Sequence, residues 1–371
     1  MLKLIICAGF IFHGLRNMLM RPDDLLSFSS GCFEVAKALI DLAGQGYDCL
    51  LIPCRGAFPV LTGAIEALKA VKGEIKLLER FYAPYSHPTL EEIHRKRGDF
   101  KLLILPFTAH VKLLEEYRRR YGFQVHIDEV EKSIRLWAVR LALSFLNDAD
   151  ERSEDPYFRL YIRVLSMIGE DRLVKLYENF PKCDRMIYLD TVISGRASHT
   201  ILMGFRETGY TPYSILMIDR YGAKLNPKYS WLSRQLEHQG LARLIHVSRL
   251  MAEDTSSALL GVSATLYPTV IMAGWKRLKP CGAVAWHPAV GLHSKVFAKF
   301  RECLRVCVKG GEAWMESLKE LNRSLERAIR LPEEIPPLKC ESEIEQVEET
   351  RAKAVNIYLT RKASESIVER L

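Results

Sequence analysis

Residues 185–200 read Arg-Met-Ile-Tyr-Leu-Asp-Thr-Val-Ile-Ser-Gly-Arg-Ala-Ser-His-Thr, and no other stretch limits the fold so sharply. An apolar strand, Met186 to Leu189, runs into a lone carboxylate, Asp190. A turn containing Thr191, Ser194, Gly195 and Ser198 follows, and a helical pattern then takes over to about Glu207. Strand, turn and helix in immediate succession is how an α/β protein presents hydroxyls and backbone N–H groups to an anion at a helix N-terminus.

The same succession occurs elsewhere. A helix predicted from about Cys32 to Ala43, capped by Ser30, is stopped by Gly44-Gln45-Gly46. Tyr47 to Pro53 has a strand's length and is apolar enough to be buried on both faces. Cys54-Arg55-Gly56-Ala57-Phe58-Pro59 forms the next turn, and a helix from about Val60 to Val71 follows. Ile75 to Tyr82, Lys101 to Pro106 and Tyr213 to Asp219 read as further strands. Residues 109–121, Glu129 to Leu146, Tyr157 to Ile168 and Asp171 to Phe180 read as helices, and Asn147 to Pro156 as an acidic break. The alternation predicts a parallel sheet covered by helices. Beyond Pro227 the pattern is weaker. Val270 to Met272 and Ala283 to Trp286 are candidate short strands; Lys295 to Val308 and Glu312 to Arg330 are helical; Leu331 to Pro337 reads as a linker.

The chain has 371 residues, 48% hydrophobic and 26% charged, which is the composition of a globular protein rather than a disordered one. The nine Cys show no paired CxxC spacing. Cys303 and Cys307 share a helical face, but no neighbouring ligands complete a zinc site, so buried free thiols in a reducing, cytoplasmic setting are expected. The apolar run Leu2 to Phe12 lacks a signal-peptide cleavage pattern and is too short to cross a bilayer. The net charge of +8 is compatible with anionic ligands or nucleic acid.

Two turns carry the chemistry. Arg55 can offer a planar fork to a phosphate, and Gly56 permits a tight backbone after the strand. Asp190 stands where ligands bind in open α/β sheets and can accept ribose hydroxyls. Thr191, Ser194 and Ser198 supply hydroxyl donors, and Gly195 allows close approach to phosphate. Together the turns resemble type I phosphoribosyltransferases. The stretch Ala36 to Leu68 is similar to the family's diphosphate-binding loop, and Ile187 to Ser198 to its phosphoribosyl-diphosphate loop. The resemblance implies that Asp190 holds the ribose hydroxyls and, through the ligand, Mg²⁺. It implies that Ser194, Gly195, Arg196, Ala197 and Ser198 hold the 5′-phosphate, and that Arg55, Gly56 and Ala57 face the diphosphate.

The match has departures. Thr191 follows Asp190 where most members have a second acid, and Ser-Gly-Arg-Ala-Ser replaces Thr-Gly-Gly-Thr. Two gapless registers are possible. One puts Asp190 at the first acidic position and Ser198 at the final hydroxyl; the other puts Asp190 second and aligns Gly195-Arg196 with the family's Gly-Arg. Ser194 or Ile193 then occupies the place of the purine-salvage base, and neither takes a proton at neutral pH.

The resemblance implies a phosphoribosyltransferase-like core over residues 1–230 with a helical insertion at about 107–181. Residues 231–330 would complete the pocket, and 338–371 would form a helical tail suited to self-association or a protein partner. The implied activity is Mg²⁺-assisted transfer of phosphoribose from phosphoribosyl diphosphate to an acceptor. One alternative is a catalytically inactive nucleotide sensor or partner-binding member, as in a prokaryotic defence or regulatory system. Another is a nucleic-acid-associated basic protein. Arg95, Lys96 and Arg97 are mobile-loop candidates, and Tyr267, Trp275 and Trp286 are candidates for stacking on an acceptor base. His287 and His293 are read as structural, and Arg118-Arg119-Arg120 as complementing a helix C-terminus.

Overall fold

Four apolar runs that each end in a polar or Gly-containing turn can hide their backbones only by pairing side by side, and they do. The structure is a computed structural model that describes residues 21–53, 57–70, 100–105, 107, 127–167, 171–250, 299, 302–307 and 312–334. In chain order its helices are α1 (Pro22–Gly44), α2 (Ala57–Ala70), α3 (Ile127–Ser144), α4 (Ala149–Glu154), α5 (Pro156–Met167), α6 (Asp171–Glu178), α7 (Arg196–Glu207), α8 (Pro227–His238) and α9 (Ala313–Glu334). The strands are β1 (Cys49–Ile52), β2 (Lys101–Ile104), β3 (Met186–Val192), β4 (Tyr213–Ile218) and β5 (Ala242–His246).

The strands form one sheet in the order β2-β1-β3-β4-β5, and every neighbouring pair is parallel. The arrangement is α/β, as the alternation predicts. β1 is buried at every position and β3 at all but Thr191, as a strand covered on both faces requires. The edge strand β5 is more mixed, with His246 exposed. Asp48 sets the start of the sheet. Its carboxylate accepts the N–H groups of Asp184 (2.9 Å) and Arg185 (3.0 Å) and pairs with Lys101 at 2.5 Å. One side chain thereby aligns the entries to β1, β2 and β3.

Helix α1 begins at Pro22, ten residues before the Cys32 start predicted from sequence. Pro22 opens the first turn, and Asp23 and Asp24 there complement the helix dipole. The Ser29-Ser30-Gly31 run that mimics a cap lies inside the helix because Gly31 is a packing device. A Cβ on Gly31 would come within 2.6 Å of Val247 Cγ1 and 3.0 Å of Met217 Cε, so only glycine lets α1 lie this close to β4 and the end of β5. Leu25, Phe28, Cys32, Val35, Leu39 and Leu42 make its buried stripe.

Between β2 and β3 lie helices α3 to α6. The acidic segment Asn147 to Pro156 is not the break its polarity predicts. It contains α4, whose Arg152 is fully buried. The guanidinium donates to the carbonyls of Phe180 (2.6 Å) and Glu178 (3.3 Å) and lies over the rings of Phe145 and Phe158. The Phe145 ring in turn makes edge-on contacts with Phe158, Tyr177 and Phe180, and Tyr161 does so with Tyr177. Burial lowers the Arg152 pKa, with Cys183 and Asp148 acting in the opposite direction.

After Pro227 the structure contains α8 and β5, which the sequence pattern did not reveal, and α9 continues through Leu331 and Pro332 into the predicted linker. Residues 302–307 are helical, and Cys303, Leu304 and Cys307 join the core. The described cysteines Cys32, Cys49, Cys183, Cys303 and Cys307 are buried free thiols. Among the described residues no helix is long and apolar enough to cross a membrane. The candidate strands at Ile75, Val270 and Ala283, the helix at 109–121 and the tail at 338–371 lie outside the described residues.

Candidate functional site at the carboxyl edge of the sheet

In the order 2-1-3-4-5 the chain reverses its direction of travel across the sheet between β1 and β3. Such a switch point, at the carboxyl ends of the strands, is where open α/β sheets bind their ligands. Cys49 pairs with Met186, Leu50 with Ile187 and Leu51 with Tyr188. The end of β1, which leads into the Arg55 turn, therefore lies beside β3, which leads into the Asp190 turn. Residues 137 apart in sequence are set beside each other by the topology, and these are the two turns singled out by their chemistry.

Asp190 lies within β3, two residues before its end, and is 4% exposed. Strand alternation puts Tyr188 and Asp190 on one face. The Tyr188 hydroxyl donates to Asp190 Oδ2 at 2.6 Å, and the Thr191 N–H donates to Oδ1 at 2.8 Å. These two bonds fix the orientation of the carboxylate at the end of the strand. Thr191 is half-buried.

The chain leaves β3 through Ile193, Ser194 and Gly195. Gly195 has φ 84° and ψ −4°, the left-handed conformation that glycine adopts without a Cβ penalty. It occupies the cap position of α7 and offers no side-chain cap to the helix's first amides. Ser194 is exposed, and its carbonyl accepts the Asn226 N–H at 3.1 Å, which ties the turn to the start of α8. Arg196 is exposed, Ala197 half-buried and Ser198 buried. The Ser198 hydroxyl donates to the Gly195 carbonyl at 3.1 Å, so it braces the turn from within. Ala57 is buried at the start of α2; Arg55 and Gly56 lie outside the described residues.

A second feature of this edge was not foreseen. At the end of β4 the segment Asp219–Gly222 makes a tight 3₁₀ turn. Arg220 (φ 47°) and Tyr221 (φ 51°) are both left-handed, followed by Gly222 at φ 84°. Non-glycine residues in this region carry strain of about 1–2 kcal/mol each, and such strain concentrates at functional sites. The turn is held by its surroundings. Asp219 is fully buried and accepts the Leu250 N–H at 2.6 Å, and the Tyr221 N–H donates to the Val247 carbonyl at 2.9 Å. The Tyr221 ring is 64% exposed, and its hydroxyl lies 3.4 Å from Ser27 Oγ.

Beside this turn Asp24 of α1 is 1% exposed. It accepts from Arg21 (2.8 Å) and from the Ser248 hydroxyl (3.1 Å), and Arg249 stands at 3.7 Å. Burial pushes its carboxyl pKa up, but the bonds from Arg21 and Ser248 and the charge of Arg249 outweigh burial, and the net direction is down. Burial lowers the Arg249 pKa, and Asp24 opposes that shift. The only sequence signals here were the Gly222 turn and the strand-terminal Asp219.

The remaining sequence candidates, Arg95, Lys96, Arg97, Arg118-Arg119-Arg120, Tyr267, Trp275, Trp286, His287 and His293, lie outside the described residues. Comparison with protein-family models, with curated proteins and with solved structures found no match.

Proposed function

We propose that the chain binds phosphoribosyl diphosphate, or a nucleotide, across the switch point between β1 and β3. The observation that carries this reading is the pairing of β1 with β3. It puts the end of β1, from which the chain runs into Arg55, beside the end of β3 that bears Asp190, at the edge where an open α/β sheet takes its ligands. Asp190, oriented by Tyr188 and Thr191, accepts ribose hydroxyls. The Ser194 hydroxyl and the first amides of α7, with Arg196 and Ala197 around them, receive the 5′-phosphate. Arg55, Gly56 and Ala57 meet the diphosphate.

Mg²⁺ suits this donor set. Asp190 offers hard carboxylate oxygen, and Mg²⁺ is usually held by one or two carboxylates plus substrate phosphates. Bound with the diphosphate, the ion would neutralise charge building on the leaving group. The reaction is displacement of diphosphate from the ribose anomeric carbon by a nucleophile of the acceptor. Asp190 fixes the ribose, and the α7 amides hold its far end while the bond breaks.

A second reading is a non-catalytic sensor on the same fold. It is favoured by Thr191 in place of a second acid and by Asp190 already accepting from Tyr188 and Thr191. Calorimetry and turnover separate the two. Titration of the full chain with phosphoribosyl diphosphate and Mg²⁺ should give saturable heat, and Asp190→Asn, with unchanged thermal melting, should abolish it. No heat from the native chain overturns both readings. Heat without release of diphosphate, tested across candidate acceptor bases, selects the sensor.

A further inference from the structure

Helix α7 has a second working face. Arg196, His199 and Thr200 along it, with Lys132 and Arg135 of α3 and Tyr229 of α8, line a half-open cleft of about 370 Å³. Its lining contains three permanent cations against one carboxylate, Glu207 at the far end. One rim is aromatic. The His199 ring lies 5.7 Å from Tyr229 and 5.5 Å from Trp231, centre to centre, and Trp231 is 45% exposed. Lys228 stands over the outer part of Tyr229. The His199 ring is fixed by its Nδ1 at 3.1 Å from the Tyr229 carbonyl.

The two halves of this cleft ask for different parts of one ligand. Cations spaced along two helices suit a chain of phosphates, and an indole left half in water beside a tilted imidazole–phenol pair suits the flat face of a base. Arg118-Arg119-Arg120 offered charge in the sequence without aromatic support; here charge and rings meet. The exposed Trp231 lies just beyond the cleft, so the platform continues past the volume of a single nucleotide.

We infer that the α3–α7–α8 cleft binds single-stranded nucleic acid, with phosphates on Lys132, Arg135 and Arg196 and bases stacked on Trp231 and the His199–Tyr229 pair. The inference stands apart from the sheet-edge reading, because α3 and α8 supply residues that have no part there. Only Arg196 serves both faces of α7.

The test uses the full chain and fluorescence anisotropy with a labelled single-stranded oligonucleotide of mixed sequence. Binding should weaken steeply with salt. Lys132→Ala should lower the slope of log affinity against log salt by about one. Trp231→Ala should weaken binding about tenfold without changing that slope. Both positions are exposed, and circular dichroism verifies the fold. Absence of binding overturns the inference, as does binding that neither substitution alters. Equal affinity for a duplex removes the stacking role, and full competition by a mononucleotide at equal nucleotide concentration replaces the strand with a single-nucleotide ligand. Titration with phosphoribosyl diphosphate on Trp231→Ala should match the native chain, so failure here and failure at the sheet edge are told apart.

Discussion

The turns that follow β3 and β4 stand side by side at one edge of the sheet and solve the same problem in opposite ways. Each must reverse the chain within a few residues of a buried strand. The β3 turn places its single left-handed position on Gly195, with Ser194 before it and Arg196, Ala197 and Ser198 after it. The β4 turn places Arg220 and Tyr221 in left-handed conformations before it reaches Gly222. The first turn is relaxed, and its exposed Ser194 accepts the Arg196 N–H on its hydroxyl oxygen at 3.5 Å. The second is forced, held by Asp219 and the Val247 carbonyl, and displays a large ring. A relaxed glycine turn suits a ligand that needs backbone contact. A strained turn carrying side chains suits one that needs a shaped wall.

The sharpest way to break this contrast is at the support of the strained turn. Asp24→Ala removes the buried carboxylate to which Arg21 and Ser248 donate and beside which Arg249 stands, and losing hydrogen bonds to a charged group costs about 1.5–3 kcal/mol. Chemical denaturation should show the loss in the midpoint. The same carboxylate sets an acid limb. The folded Asp24 pKa is depressed, so its contribution is complete above the unfolded carboxylate pKa and is lost as pH falls through the folded one. Asp24→Asn should flatten the acid limb of stability against pH.

Next in size is the relaxed turn. At Gly195→Ala the new Cβ would meet Tyr229 Cβ at 3.5 Å, an ordinary contact, so the cost is conformational, about 1–2 kcal/mol. Thermal melting should record that loss, together with weaker binding of phosphoribosyl diphosphate if the α7 amides hold phosphate. The smallest effect has the opposite sign. Tyr221→Gly removes left-handed strain and should stabilise the fold by up to about 1 kcal/mol. Stabilisation together with reduced ligand affinity would mark the strain as serving the site; destabilisation would show that the Tyr221 ring is needed for packing.

These two turns also explain what the sequence could and could not tell. The β3 turn was legible because its geometry is met by a glycine, a residue whose presence announces the conformation. The β4 turn was not, because Arg220 and Tyr221 have no local preference for left-handed backbone; long-range bonds from Leu250 and Val247 impose it. The same division runs through the fold. β1, β3 and β4 declared themselves as apolar runs buried on both faces, whereas β5 (Ala-Arg-Leu-Ile-His) is an edge strand with a mixed pattern. The N-terminal half of α1 was obscured by Gly31, whose role depends on Val247 and Met217 far along the chain. Arg152 in an acidic segment gave no hint of the Phe145 and Phe158 rings it lies over.

The pairing of Cys49 with Met186 has a consequence in time as well as in space. β1 leaves the ribosome long before its central partner exists, and a strand built for burial on both faces must wait for β3. Closing so long a loop adds little to the equilibrium cost, which grows only with the logarithm of length. It makes the central pairing slow, because distant contacts must be found before they reward the chain. The switch point between β1 and β3 therefore cannot form until the chain has been made past residue 186. A nascent chain ending before residue 186 has helix α1, strand β1 and the insertion helices, but no switch point at which to bind a ligand.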